Sequence, residues 1–229
     1  MPVLIYIVVA VSAYLLGSIP FGFLVAKAKG IDIRSVGSGN IGATNAMRVL
    51  GKPAGIAVLL LDAAKGFIAC FLGVLFYAHY SNQFNGVHST SESIPLPSRE
   101  GAEYFATIAG ICAVLGHNYT CWLKFKGGKG IATTAGVFLA LAPWALLVAL
   151  VVFILALLVT RYVSVSSITA AVALPITVWV MTPHNFFLGS VTTALGVLAI
   201  YKHKSNIQRL MAGTENRLGK KASTPEKTK

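Results

Sequence analysis

Acid is scarce in this chain: seven Asp and Glu stand against nineteen Lys and Arg in 229 residues, and charged residues make up only 11% of the total. A soluble domain carries about 25%, and with 55% of residues hydrophobic the chain reads as an integral membrane protein. None of the acids pairs at metal-ligand spacing, which argues against a carboxylate-held magnesium site; no metal and no cofactor are expected. The three cysteines lack metal spacing: Cys70 and Cys112 fall in apolar stretches, Cys121 lies near a membrane surface, and no disulfide is expected. No G-x-x-x-x-G-K-[ST] occurs, and no strand precedes the glycine-rich stretch to make a dinucleotide fingerprint. A G-x-S-x-G nucleophile elbow is also missing, and none of the five histidines has an acid five positions on, so a His-x4-Asp acyltransferase motif is excluded. No internal repeat is visible, which weakens a transporter built on inverted halves.

The chain does have long apolar runs. The first, about 3–26, has no basic residue before it and is read as a retained helix rather than a cleaved leader. Lys27, Lys29, Arg34, Arg48 and Lys52 follow it, which places the loop 27–52 in the cytoplasm and the N-terminus outside. A second span, about 53–78, leads to the polar segment 79–103, which has Arg99 as its one cation and is expected to be an irregular outer loop. A third, about 104–122, returns to Lys124, Lys126 and Lys129 inside.

Charge also divides the region 131–201. If Pro143 separates a short helix 131–142 from a second at 143–160, Arg161 and the basic tail both fall inside. The last spans are then about 162–182 and 185–201. The expectation is an all-α membrane protein of seven transmembrane helices, N-terminus outside and C-terminus cytoplasmic, in a single domain 1–229 whose residues 219–229 form a disordered basic tail. Twelve residues rise only about 18 Å as helix against a hydrocarbon core of roughly 30 Å, so the span 131–142 is short or partly re-entrant. The excess positive charge reads as positive-inside and lipid-surface charge; no nucleic-acid partner is expected.

Three polar clusters meet the cytoplasmic face on this topology. The first is Val36-Gly37-Ser38-Gly39-Asn40-Ile41-Gly42-Ala43-Thr44-Asn45, running into Arg48 and stopping at Gly51-Lys52-Pro53. Its glycines let backbone N–H groups approach a ligand, and a helix from about 41 to 50 would aim its N-terminus at an anion. Thr44, Asn45 and Arg48 would share one helix face. A plain small-residue connector is the alternative.

In the second cluster, Gly127-Gly128-Lys129-Gly130 puts free N–H groups and an ammonium at a helix start, which suits a phosphate, whereas Lys124 and Lys126 read as headgroup contacts. In the third, His203, Asn206 and Arg209 follow one another a helical turn apart; His203 is read equally as structural or as touching substrate. Asp62 and Lys65, three apart deep in the second span, are either a mutually neutralising pair or a route for Lys65 into the cavity. Together the clusters suit one or two phosphates.

In this order and on these spans the chain resembles the bacterial acyl-phosphate:glycerol-3-phosphate acyltransferase family. The matching residues are Gly17-Ser18-Ile19-Pro20-x-Gly22, Gly37-Ser38-Gly39-Asn40-x-Gly42-Ala43-Thr44-Asn45, Asp62-x-x-Lys65-Gly66, Leu115-Gly116-His117-Asn118, Phe125-Lys126-Gly127-Gly128-Lys129-Gly130-x-Ala132-Thr133, and His203-x-x-Asn206-Ile207-x-Arg209-Leu210-x-x-Gly213-Thr214-Glu215. The match spans about 12–219 and departs at the longer segment 79–103 and at Thr120-Cys121, where a proline is expected.

The resemblance implies a monomeric inner-membrane enzyme that moves an acyl chain from acyl phosphate to the 1-hydroxyl of glycerol 3-phosphate on the cytoplasmic side, as the first acylation of phospholipid synthesis. It implies Ser38, Arg48, Lys129 and His203 as catalytic residues. Substrate binding falls to Gly37, Gly39, Asn40, Gly42, Thr44, Asn45, Gly128, Asn206 and Glu215. The general base is left between His203 and the substrate's own phosphate. An organic-phosphate transporter is the rival reading.

Overall fold

The first apolar run breaks where its sequence demands it. In the computed structural model, which describes residues 3–88 and 98–218, the expected single helix 3–26 is two: α1 (Val3–Ser18) and α2 (Phe21–Lys27). Pro20 has no N–H to continue the ladder, and where the helix is interrupted the carbonyls of Ser18 and Ile19 are used across the bundle. Ser18 O accepts the Thr120 hydroxyl at 2.6 Å, and Ile19 O accepts Lys65 Nζ at 2.9 Å. Thr120, where a proline was expected, thus supplies a buried cross-helix hydrogen bond.

After the glycine-rich loop come α3 (Ala43–Leu50), α4 (Lys52–His88) and α5 (Arg99–Asn118). The outer segment is therefore helical over 79–88 and again from Arg99, not irregular throughout as expected; its middle, 89–97, lies outside the described residues, as does the tail 219–229. Ser98 caps α5 by accepting the Gly101 N–H at 3.2 Å.

Pro143 divides the next stretch as expected, into α6 (Ile131–Leu141) and α7 (Pro143–Thr160). Then follow α8 (Val163–Met181), α9 (Phe186–Lys202) and α10 (Lys204–Met211), the last bent by 50° from α9 with His203 at the corner.

The bundle packs α4 against α3, α5 and α6, α1 against α5, and α8 between α7 and α9. Close contact between α4 and α6 depends on Gly136, where a β-carbon would fall 1.8 Å from the Ala63 carbonyl oxygen. Large apolar side chains such as Leu60, Leu158, Val159 and Val180 are exposed, the pattern of helices meant for lipid. Among the described residues four stretches, one of them α1 and α2 taken together as Val3–Lys27, or five if the bent pair α9–α10 is one, are long and apolar enough to cross a membrane; α6 has only eleven residues.

Candidate active site

Three segments distant in sequence close around one cavity of about 170 Å3. Its wall takes Ser38, Asn40, Gly42, Thr44, Asn45 and Arg48 from the loop and α3, Lys129 from the turn before α6, and His203, Asn206 and Glu215 from the chain after α9. Gly37, Gly39 and Gly128 are not on that wall. Ser38 and Asn40 precede α3, Thr44 to Arg48 lie on it, Lys129 precedes α6, and His203, Asn206 and Glu215 follow α9, so connections between the long helices supply these groups.

The loop is built on Asn45, which is 1% exposed. Its Oδ1 accepts the Ser38 N–H at 2.8 Å, and its Nδ2 lies within 3.2 Å of the carbonyls of Ile33, Val36 and Asn40. Asn40 Oδ1 accepts the Gly42 N–H at 2.8 Å, turning the chain into α3. Gly37 has φ +62°, and a β-carbon on it would lie 2.2 Å from Asn45 Oδ1. The expected common face of Thr44, Asn45 and Arg48 is therefore divided: Thr44 and Arg48 stay available to the cavity, while the amide of Asn45 is committed to the loop. In the first turn of α3 the N–H of Asn45 donates to the Gly42 carbonyl, while those of Ala43 and Thr44 have no partner within the helix and lie with Arg48 on the cavity wall.

The third segment is a chain of polar contacts. Lys129 donates to Asn206 Oδ1; Asn206 Nδ2 donates to Glu215 Oε1 at 2.7 Å; Glu215 also accepts from Ser164 Oγ at 2.9 Å and from Arg209 Nε at 2.7 Å. The Glu215 carboxylate thus accepts three hydrogen bonds from within the protein, two on Oε1 and one on Oε2. Burial alone would raise its pKa, but the hydrogen bonds from Asn206, Arg209 and Ser164 outweigh that and hold it below the usual range. The Leu218 N–H donates to the Arg161 carbonyl at 2.8 Å, which folds this segment back onto the start of α8.

The electrostatics are those of an anion site. Burial pushes the Lys129 ammonium down to about 8; Glu215 opposes the shift, and Arg209, Arg48 and Lys202 add to it. His203 is held down at about 4 by burial and by Lys129, so its ring is neutral near pH 7. Its Nδ1 lies 2.7 Å from the Ala199 carbonyl, which makes Nδ1 the protonated nitrogen and leaves a lone pair on Nε2. Burial lowers the Arg48 pKa, yet a guanidinium there remains charged at any ordinary pH.

Sequence reasoning did not name Asp62, Ser164, Ser167 and Asn216 as lining residues; it placed His117 and Arg209 in the polar clusters at this face, and both line the cavity, but it gave neither a role in the site. A signal existed for the serines: Ser164, Ser166 and Ser167 crowd the start of an otherwise apolar span, beside Arg161. Lys65 does not line the cavity; it is the neutralising partner of Asp62 at 2.9 Å. A second, apolar cavity shares Ile131, Phe153 and Ser167 with the first and runs on between Leu146, Leu150, Leu174 and Leu195.

A family model described as glycerol-3-phosphate acyltransferase matches residues 7–213. Glycerol-3-phosphate acyltransferase of Geotalea daltonii is 44% identical over 210 residues, covering 92% of this chain and 96% of that protein. The same enzyme of Geobacter sulfurreducens is 43% identical, covering 90% and 93%. The crystal structure of PlsY (YgiH), an integral membrane glycerol 3-phosphate acyltransferase, superposes in its glycerol 3-phosphate form with a TM-score of 0.77 at 39% identity, over 93% of this chain and 96% of that one. Its lysophosphatidic acid form gives 0.75 at 38%, over 93% and 95%.

Proposed function

We infer, since this chain belongs to the glycerol-3-phosphate acyltransferase family, that it acylates glycerol 3-phosphate with acyl phosphate as donor, at the 1-hydroxyl, releasing lysophosphatidic acid and inorganic phosphate. The observation that carries the chemistry is the single cavity onto which Ser38, Arg48, Lys129, His203 and Asn206 all open. The related PlsY has been crystallised in a glycerol 3-phosphate form and a lysophosphatidic acid form, which are the acceptor and the product of this reaction.

The acceptor hydroxyl oxygen attacks the acyl carbon, the bond from that carbon to the phosphate oxygen breaks, and phosphate departs with the electron pair. Acyl phosphate is already activated, so no acyl-enzyme is needed; alignment and charge stabilisation supply the rate. Arg48, Lys129, Ser38 and the N–H groups at the start of α3 neutralise the two phosphoryl groups, and Thr44 adds a hydroxyl. His203 and Asn206 orient glycerol 3-phosphate. A histidine held at about 4 is a weak base, whereas a phosphate monoester has a second pKa of about 6. The acceptor's own phosphate therefore takes the hydroxyl proton, with His203 Nε2 accepting a hydrogen bond. Asn45, Gly37 and Gly39 shape the loop, and Glu215 orders Asn206 and Arg209. The acyl chain extends into the apolar cavity beyond Phe153.

The site lies in the cytoplasm and the chain crosses the inner membrane seven times as a monomer. Supporting the cytoplasmic placement are the basic residues gathered at the cavity's end of the bundle. Placement of the polar groups at one end favours an enzyme over an organic-phosphate carrier, which must open its site to each side in turn. Purified protein in micelles should release phosphate from acyl phosphate only when glycerol 3-phosphate is present. Release without acceptor, or none with it, rejects the assignment.

A further inference from the structure

Buried polar groups that acyl transfer leaves idle gather at the end of α5. His117 is 5% exposed and Asp62 2%. The His117 Nδ1 lies 3.5 Å from Asp62 Oδ1, and the same carboxylate oxygen lies 2.9 Å from Lys65 Nζ. Charged groups at this depth are costly, and Asp62 with Lys65 would already form a neutral pair. The histidine is surplus to that pairing.

Its other side carries the loop that bears Lys129. The Gly128 N–H donates to the His117 carbonyl at 3.0 Å, and the Gly127 N–H donates to the Asn118 carbonyl at 3.2 Å. The imidazole itself abuts Gly128, where a β-carbon would fall 2.1 Å from Nε2.

Two glycines two residues apart are small for different reasons. Gly130 has φ +81°, a conformation side chains resist, whereas Gly128 is not among the residues of positive φ. Backbone geometry therefore permits a side chain at 128, and the His117 ring forbids it. Nor does Gly128 line the cavity, while Lys129 and Gly130 do.

We propose that Asp62, His117 and Gly128 form a seat that fixes the height of the Lys129 loop. His117 is a positioning residue that acts through Lys129, and Gly128 is small to accommodate imidazole rather than phosphate. Asp62 faces the ring at ion-pair distance, the ring abuts Gly128 and the His117 carbonyl accepts its N–H, and the next residue reaches into the cavity to Asn206. A displacement of about 1 Å at such a group can cost on the order of a hundredfold in rate.

The test is a double-mutant cycle, resting on Lys129 as a phosphate ligand. His117→Asn keeps a side-chain nitrogen near Asp62 and removes Nε2. Gly128→Ala in the native background should lower kcat/KM about a hundredfold. His117→Asn alone should lower it about tenfold, and adding Gly128→Ala to it should cost less than about threefold more, because the methyl group then has room. Equal damage from Gly128→Ala in both backgrounds, or none in either, overturns the seat.

Should Gly128→Ala fail to fold, a cooperative melt restored in the double variant reports the same coupling, and failure of both counts against it. The cycle is read in parallel as affinity for inorganic phosphate by calorimetry. A native protein that binds phosphate and shows the coupling but transfers no acyl group sinks the assigned reaction and leaves the seat standing.

Discussion

Asn45 and Asn206 are both buried amides on the wall of the same cavity, yet they do opposite work. Asn45 directs its polar atoms at the backbone of its own loop, from Ile33 to Asn40. Asn206 directs its atoms at side chains from elsewhere in the chain, joining Lys129 to Glu215. The first region is a local construction in which a short run of sequence holds itself rigid. The second exists only when α6, α8 and α10 are assembled. Damage to the first should show as lost structure, and damage to the second as lost charge control.

Removing the groups both regions serve to place should have the largest effect. Arg48→Ala or Lys129→Ala is expected to lower kcat/KM by about a thousandfold or more with an unchanged melting temperature in micelles; near-native turnover in both removes them from the site. Asn45→Asp faces three carbonyls with acceptors instead of donors. It should lose about 2–4 kcal/mol of stability along with activity, visible as a lowered melt. Asn206→Ala should instead lose about a hundredfold in kcat/KM with a nearly native melt. If the two variants behave alike, the contrast between regions is wrong.

A smaller effect separates charge control from shape. Lys129, held at about 8, binds phosphate as an ammonium below that pH and loses its charge above it, so kcat/KM should fall as pH rises through about 8. Glu215 raises the Lys129 pKa, so Glu215→Gln should move that limb to lower pH and reduce kcat/KM about tenfold. A limb left in place would detach Glu215 from Lys129. His203, at about 4, stays neutral through the range where such assays are run, and should contribute no limb between about pH 5.5 and 7. Least should happen at Lys124 and Lys126, both exposed, where Ala in place of either should change kcat/KM less than about threefold at moderate salt.

Much of this arrangement could be read before any coordinates. Pro143 marked the division between α6 and α7 because a proline opens a helix more easily than it continues one. Ser38, Arg48, Lys129 and His203 stood out as polar residues flanked by apolar spans. The break at Ile19-Pro20 was passed over, because a proline inside a membrane span does not announce whether neighbours will satisfy the carbonyls it frees. Helix continued through 79–88 where polar composition suggested a loop. Asp62 was legible as a charged partner for Lys65 and His117 as part of the polar cluster leading to Lys129; nothing local says that one cavity includes both.

Membrane residence, the polar identity of the three clusters and their shared face followed from composition, charge and hydrophobic period, which are properties of the chain in order. Tertiary structure decided which amide is scaffold and which is wiring, that the Glu215 carboxylate is engaged by Asn206, Arg209 and Ser164, and that Lys65 serves Asp62 rather than the cavity. Those outcomes depend on hydrogen bonds and ion pairs a few ångströms long between residues from three to 77 positions apart, and the order of residues along a chain does not encode such distances until the helices have packed.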